Sequence, residues 1–256
     1  MFSTKTIELK SSEEIALMGE AGKIVAQTLG VLSQALRPGL STKELDAIAQ
    51  EELSRHKAKP AFLGYQGFPA SLCVSINSEV VHGIPSARRN ITSGDIVSLD
   101  FGCILEGFYA DAAVTVGVGR ISEEARKLIE VTREALMRGI VEMVPNARLG
   151  DISSAVQNHV EAHGFSVVRD FVGHGIGRAL HEDPPVPNYG KPGTGMRLSP
   201  GLVLAIEPMV NAGGPEVETL EDGWTAITRD SSLSAHFEHT VALTEKGPQI
   251  LTLGRA

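Results

Sequence analysis

The chain has 256 residues, 42% of them hydrophobic and 21% charged, and a formal net charge of -8. This composition is ordinary for a globular protein with a sizeable core, and the lack of a Lys/Arg run argues against a nucleic-acid-binding surface. The N-terminal segment resembles no signal sequence, and we expect no membrane span. The two cysteines, Cys73 and Cys103, form no disulfide or zinc-ribbon pattern, so a reducing, cytoplasmic location is expected.

Each half of the chain begins with two segments of helical periodicity. In the first half, apolar residues recur at helical spacing over residues 12–36, and Pro38 ends the run. Ser41 and Glu44 then form a capping box at the start of a second helix. The same order recurs in the second half, where Pro145 stands at the place of Pro38. These patterns predict four helices.

Two pairs of strand-like segments repeat in the same order. The segment "SGDIVSLD", ending at Asp100, can be aligned with "PGLVLAIE", ending at Glu207. The segment "YADAAVT", with Asp111, can be aligned with "HFEHTVA", with Glu238. Chance would explain any one match, but the shared order favours an internal duplication.

The duplication predicts an α/β (α+β) fold in a single domain spanning residues 1–256. Its halves, at about 12–118 and 122–250, would be related by a pseudo-twofold axis. Sheets would meet in the centre with helices outside, and the acidic residues of the matched strands would converge there.

The segment "SLDFGCILEGFYADAAVT", residues 98–115, predicts a β-hairpin with an aspartate in each apolar strand. With a loop over residues 104–107, Asp100 would lie directly opposite Asp111, and the repulsion would raise one pKa. Divalent cations neutralise such a cluster and keep its oxygens as ligands. His174, set between glycines in "FVGHGIG", offers an imidazole, which favours a transition metal over Mg²⁺ or Ca²⁺.

These motifs together resemble those of the type I methionine aminopeptidases, which have a duplicated pita-bread α/β fold. The resemblance runs from about residue 10 to the C-terminus. It is carried by "GYQGFPASLCVSIN", "VVHGIP", "GDIVSLDFG", "GFYADAAVT", "GHGIG", "LHEDP", "AIEPM" and "FEHTVALT". It implies removal of the initiator methionine from nascent proteins and peptides with a small second residue. Water activated by two metal ions would attack the first peptide bond.

The resemblance also implies the residues of the site. The metal ligands would be Asp100, Asp111, His174, Glu207 and Glu238. His82 would lie near the scissile amide, His181 near the carbonyl group, and Glu207 would transfer protons. The methionine pocket would be formed by Tyr65, Phe68, Cys73 and Trp224, with Phe62 at its edge. Gln66 stands where some members of the family have a histidine, and Leu180 where an aromatic residue is expected.

The implied cofactors are two divalent metal ions, with cobalt, manganese, iron and zinc all open. The implied partners are nascent polypeptide N-termini, with contact to the ribosome left open, and the enzyme is expected to be a monomer. The large Phe2 implies that the chain keeps its own Met1. Two alternatives stay open: an Xaa-Pro aminopeptidase or proline dipeptidase of the same fold, and a non-catalytic binding module.

Overall fold

The structure is a computed structural model that describes residues 7–254; Met1 and Phe2 lie outside this range. The helices are α1 (Ser12–Ala35), α2 (Thr42–His56), α3 (Glu123–Val141) and α4 (Leu149–Ala162). The first eight strands are β1 (Lys59–Pro60), β2 (Cys73–Ile76), β3 (Glu79–Val81), β4 (Ile96–Leu105), β5 (Phe108–Gly117), β6 (Ser166–Val167), β7 (Gly173–Gly175) and β8 (Glu182–Val186). The remaining strands are β9 (Val203–Ile206), β10 (Met209–Asn211), β11 (Val217–Thr219), β12 (Ala226–Thr228), β13 (Ser234–His236), β14 (Glu238–Thr244) and β15 (Gly247–Ile250).

Local sequence signals set the helix boundaries. The predicted capping box begins α2, where the Ser41 side chain accepts from the Glu44 N–H and the Glu44 carboxylate accepts from the Ser41 N–H. Ser11 and Glu14 do the same at α1. Each box satisfies backbone donors that the first turn of a helix leaves without partners. The four helices expected from the sequence are confirmed within the described residues.

The main sheet has nine strands in the order β1-β4-β5-β14-β9-β7-β8, with β2 also paired to β4 and β15 to β14. Two small sheets have the orders β13-β10-β6 and β11-β12-β3. In the main sheet, β5 and β14 are neighbours, flanked by β4 and β9. This order is the one expected if β4 and β5 correspond to β9 and β14. The duplication, and the single domain built from it, stay predictions.

Helices and acidic residues occupy opposite faces of the main sheet, because successive side chains of a strand alternate between its faces. On one face, Leu99 and Phe101 of β4 pack in the same cluster as residues of α1 and α2. Val241 and Leu243 of β14 pack likewise with residues of α3. The other face carries the acidic side chains beside a second apolar cluster that includes Phe68, Cys73 and Ala242.

The hairpin exists, but its register differs from the expected one. The chain reverses at Glu106-Gly107, both with positive φ (51° and 84°), and Leu105 pairs with Phe108. Asp111 therefore lies opposite Gly102, and Asp100 lies opposite Ala113. The prediction that the aspartates are directly opposed was wrong because the turn has two residues instead of four. Since the shift moves pairs by two positions, both aspartates remain on one face as diagonal neighbours.

Helix α1 is long and apolar enough to cross a membrane by length and composition alone, with a mean hydropathy of 1.3. The expectation of no membrane span stays a prediction. Met18, Val25 and Leu32 are fully buried in the protein, so the apolar face of α1 is used by the core. The buried core helix of a globular domain passes the same length test.

Candidate metal centre

Five predicted ligands lie on the polar face of the main sheet or at its strand ends. The register pairs Glu238 with Ala113 and His174 with Ala205, which places these side chains on the face that carries Asp111. Glu207 follows β9 directly. The structure brings all five to the lining of one cavity of about 220 Å³: Asp100, Asp111, His174, Glu207 and Glu238.

Hydrogen bonds to the backbone hold the positions from which these side chains project. The Thr240 hydroxyl accepts from the Asp111 N–H at 3.0 Å and donates to the Asp111 carbonyl at 2.7 Å, which joins β5 to β14. The buried Asn188 amide donates to the Glu207 carbonyl at 2.9 Å. Neither contact uses a carboxylate oxygen of the cluster, so those oxygens remain available to a ligand.

Three members of the set have ligand atoms that all lie within 4.8 Å of one another: Asp111, His174 and Glu238. Glu207 adjoins them, with its Oε1 3.4 Å from His174 Nε2. The ring of His174 is oriented by the carbonyl of Gly175, 2.9 Å from Nδ1. Because a carbonyl only accepts, Nδ1 carries the proton, and the lone pair of Nε2 faces the carboxylates.

The electrostatics of the cluster are unfavourable for the protein chain alone. Burial, followed by the charge of Asp111, raises the pKa of Asp100 well above its ordinary value. Burial likewise raises the pKa of Asp111 to about 7 and those of Glu207 and Glu238 well above the usual range. Burial lowers the pKa of His174 to about 3, so this imidazole is neutral. Among the described residues, the cavity lining contains no lysine or arginine.

Within residues 7–254, three buried carboxylate oxygens have no hydrogen-bond partner: one each of Asp100, Asp111 and Glu238. A buried acceptor without a partner costs about 1–3 kcal/mol, and more when it is charged. Oxygens in this state, with a neutral imidazole nitrogen beside them, are the donor set of a divalent transition metal. The residues present therefore fit bound metal ions.

Two further histidines border the same cavity. His82 has a positive φ of 62°, and its ring packs edge-on against Phe171 and Trp224. Burial lowers its pKa to about 4, with the charge of His181 as the second cause. The ring of His181 lies 4.2 Å from that of His174, centroid to centroid, and burial lowers its pKa. The structure places both beside the carboxylates.

The residues predicted for the methionine pocket line the cavity as well: Phe62, Tyr65, Phe68, Cys73 and Trp224. Phe68 and Trp224 form an edge-on pair with centroids 5.1 Å apart. Cys73 lies opposite Asp100 in the β2–β4 pair, so the apolar part of the cavity directly adjoins the acidic part. Gln66 and Leu180, where the sequence departs from the family pattern, are also in the lining.

Sequence reasoning missed His236. It lies in the cavity lining and is 2% exposed. The only local signal is the spacing in "HFEH", which places this histidine two residues before Glu238. Phe171 and Met209, also in the lining, had no recognisable signal.

Among known protein families, the model of metallopeptidase family M24 matches residues 16–245 of this chain. The chain belongs to this family. The M24 chain is 57% identical over 247 residues to the methionine aminopeptidase of Clostridium perfringens, covering 96% of this chain and 99% of that protein. It is 53% identical to methionine aminopeptidase 1 of Bacillus subtilis, covering 95% of this chain and 98% of that protein.

Solved structures agree with the family assignment. The methionine aminopeptidase of Thermotoga maritima matches this M24 chain with a TM-score of 0.95 and 48% identity, covering 96% of this chain and 99% of that one. The prolidase of Pyrococcus horikoshii matches with a TM-score of 0.78 at 23% identity, covering 96% of this chain and 64% of that one, and shares the fold alone. The resemblance and the pita-bread α/β fold expected from the sequence are confirmed.

Proposed function

We propose that this M24 metallopeptidase removes the initiator methionine from nascent proteins and peptides with a small second residue. One observation carries the proposal: a buried acidic cluster with a neutral imidazole and a set of aromatic side chains line the same cavity. An acidic cluster alone would indicate only metal binding. An aromatic cavity alone would indicate only an apolar ligand. Together they support a site in which a scissile bond would lie beside bound metal ions.

Two divalent metal ions, held by Asp100, Asp111, His174, Glu207 and Glu238, are the proposed cofactors. Two such ions balance the charge of four carboxylates. When bound, they lower the pKa of a water molecule, polarise the peptide carbonyl and hold the free α-amino group of the substrate. Cobalt, manganese, iron and zinc all suit carboxylate and imidazole ligands.

The chain's own residues then act on the substrate. His181, at the edge of the cluster, donates a hydrogen bond to the oxyanion that develops on the carbonyl oxygen. The Glu207 carboxylate accepts a proton from the attacking water and passes it to the departing amide nitrogen, which leaves as the amine. His82, between Phe171 and Trp224, contacts the departing amide nitrogen. Burial keeps both histidines neutral, so each can donate one proton in a hydrogen bond.

The aromatic part of the cavity binds the methionine side chain. Contacts between a thioether sulfur and aromatic rings add about 0.3–1.5 kcal/mol beyond burial. Tyr65, Phe68 and Trp224 supply the rings, Cys73 supplies a second sulfur, and Phe62 closes the edge. The second residue of the substrate must fit between this pocket and His82, which favours a small side chain.

Several wider expectations belong to the same proposal. The chain acts as one catalytic domain and as a monomer in the cytoplasm. Its partners are the N-termini of nascent chains, and proximity to the ribosome follows from that substrate. No membrane or nucleic acid takes part. The shared fold of prolidases keeps an Xaa-Pro peptidase as the alternative enzyme, and a non-catalytic binding module as the alternative of another class.

Hydrolysis of Met-Ala-Ser, Ala-Pro and Gly-Pro peptides by the purified protein, with and without a chelator, tests the proposal. We expect release of methionine from Met-Ala-Ser alone, loss of that activity with chelator and recovery on adding Mn²⁺ or Co²⁺. Cleavage of the proline peptides instead would favour the Xaa-Pro peptidase. No cleavage of any peptide with added metal would favour the binding module.

A further inference from the structure

Among the described histidines that line the cavity, His236 is the one to which the proposed mechanism gives no part. Its side chain is 2% exposed, and neither ring nitrogen has a hydrogen-bond partner. A polar group in this condition destabilises the folded chain, because water is lost and nothing replaces it. A hydrogen bond from the imidazole to a neighbouring group of the cavity would remove this cost.

The nearest partner is Glu207. His236 Nε2 lies 3.7 Å from Glu207 Oε2, while His174 Nε2 lies 3.4 Å from Glu207 Oε1. Each carboxylate oxygen of Glu207 thus has its own imidazole neighbour. The separation at His236 exceeds a hydrogen bond by only a few tenths of an ångström. A small rotation of either side chain would close it.

Hydrogen bonds hold the backbone of His236, so the point from which its ring projects is fixed. The Thr115 hydroxyl accepts from the His236 N–H at 2.9 Å and lies 2.8 Å from the His236 carbonyl. Ser98 Oγ lies 2.8 Å from the same hydroxyl. His236 also pairs with Met209 across the β10–β13 ladder. Three strands therefore fix the residue from which the ring projects.

We infer that His236 is a positioning residue for Glu207: its Nε2–H donates to Oε2 and holds the carboxylate turned toward Asp111 and His174. The inference rests on the proposed function, because it concerns the same site. His236 would support the proposed metal ligands without itself binding a metal ion. Outer partners of this kind hold a ligating carboxylate in one orientation and thereby strengthen metal binding.

Two amide variants separate this role from simple filling of space. In His236→Gln, the side-chain NH₂ lies about where Nε2 lies, so it can still donate to Glu207. In His236→Asn, the side-chain NH₂ lies about where Nδ1 lies. The asparagine side chain is therefore too short for this group to reach Glu207. Both variants are polar and uncharged, so a merely structural role would treat them alike. His163→Gln, at an exposed position directly after α4 and outside the cavity lining, is the control for loss of an imidazole.

The measurements are calorimetric titration of the metal-free protein with Mn²⁺, the visible spectrum of the Co²⁺-loaded protein, and kcat and KM on Met-Ala-Ser. We expect His236→Asn to weaken Mn²⁺ binding and lower kcat by about 10- to 100-fold, with an altered Co²⁺ spectrum and little change in KM. His236→Gln should recover most of the affinity and of kcat. Thermal unfolding of each variant confirms that it is folded.

Wild-type affinity and kcat in a folded His236→Asn would overturn the inference. Equal losses in the Asn and Gln variants would also overturn it, because an amide donor would then not replace the imidazole. Failure of the proposed function looks different: the wild-type protein itself would release no methionine from Met-Ala-Ser at any metal concentration.

Discussion

Tyr65 Oη lies 2.6 Å from His181 Nδ1, and the two rings are 5.1 Å apart, centroid to centroid. A phenol is a better donor than a neutral imidazole, and burial keeps His181 neutral by lowering its pKa. The Tyr65 hydroxyl therefore donates to Nδ1, and the ring proton of His181 resides on Nε2. This tautomer leaves His181 with a donor for the substrate carbonyl.

Tyr65→Phe should disturb this tautomer while keeping the aromatic wall. We expect kcat for Met-Ala-Ser to fall about 2- to 10-fold, which corresponds to the net 0.5–1.5 kcal/mol of one hydrogen bond. Nitrogen NMR of the ring would show a mixture of tautomers at His181. Tyr189→Phe, which removes a hydroxyl outside the cavity lining, should change neither quantity. An unchanged ring spectrum in Tyr65→Phe would contradict the assignment.

Removal of a proposed ligand should abolish activity and leave the fold intact. Asp100→Asn removes a carboxyl group whose pKa is raised by burial, so one fewer buried charge opposes folding. The metal-free variant should therefore unfold at or above the wild-type temperature. His174→Ala removes the imidazole. Metal analysis, circular dichroism and hydrolysis assays check both variants. Wild-type turnover by either one at saturating metal would rule out its role as a ligand.

His82 and His181 should act on the substrate and not on the metals. We expect His82→Ala and His181→Ala each to lower kcat by roughly 10²-fold or more, the loss typical of a missing acid or oxyanion donor. Bound metal, measured by elemental analysis, should stay at the wild-type level. If metal is lost together with activity in one variant, that histidine belongs to the ligand set.

The size of the second residue should control cleavage. Forcing a large side chain between the pocket and His82 costs roughly 1–3 kcal/mol of overpacking. We expect kcat/KM for Met-Phe-Ser to be about 5- to 150-fold below that for Met-Ala-Ser. Competition of the two peptides in one reaction, followed by mass spectrometry, measures the ratio directly. Equal rates would mean that the second-residue site is wider than proposed.

The metal-free protein should lose stability as the pH rises above about 7.5, one unit above the ordinary histidine pKa. In that range histidines are almost all neutral in both the folded and the unfolded chain. Carboxyl groups whose pKa burial raises well above the ordinary value in the fold, such as those of Asp100, Glu207 and Glu238, still give up protons there and become buried charges. Their destabilising effect is absent below the unfolded pKa, grows as the pH rises toward the folded pKa, and is complete above it.

Thermal unfolding in chelator between about pH 7.5 and 9 measures this effect. The unfolding temperature of the wild-type protein should fall with pH, and that of Glu238→Gln should fall less. Added Mn²⁺ should reverse the trend, because it binds the ionised carboxylates of the folded chain. A wild-type unfolding temperature that rises over this range without metal would contradict the prediction.

The amino-acid sequence alone determined the local elements and the identity of most cavity residues. Ser41 and Glu44 signal a helix start through contacts within one turn, so no tertiary information is needed. The ordered motifs around Asp100, His174 and Glu238 were specific enough to indicate the family, which the comparisons bear out. The alternation of side chains along the two strands of the hairpin also predicted that both aspartates lie on one face.

Tertiary structure decided what depends on contacts distant in the chain. The turn at Glu106-Gly107 set the hairpin register and moved Asp100 from Asp111 to Ala113, because two-residue and four-residue loops fit the same apolar alternation. The position of His236 beside Glu207 depends on how β13 meets β10 and Thr115 of β5. Likewise, the Tyr65–His181 contact joins residues 116 positions apart. Such contacts are set by the packing of sheets, and no local pattern encodes them.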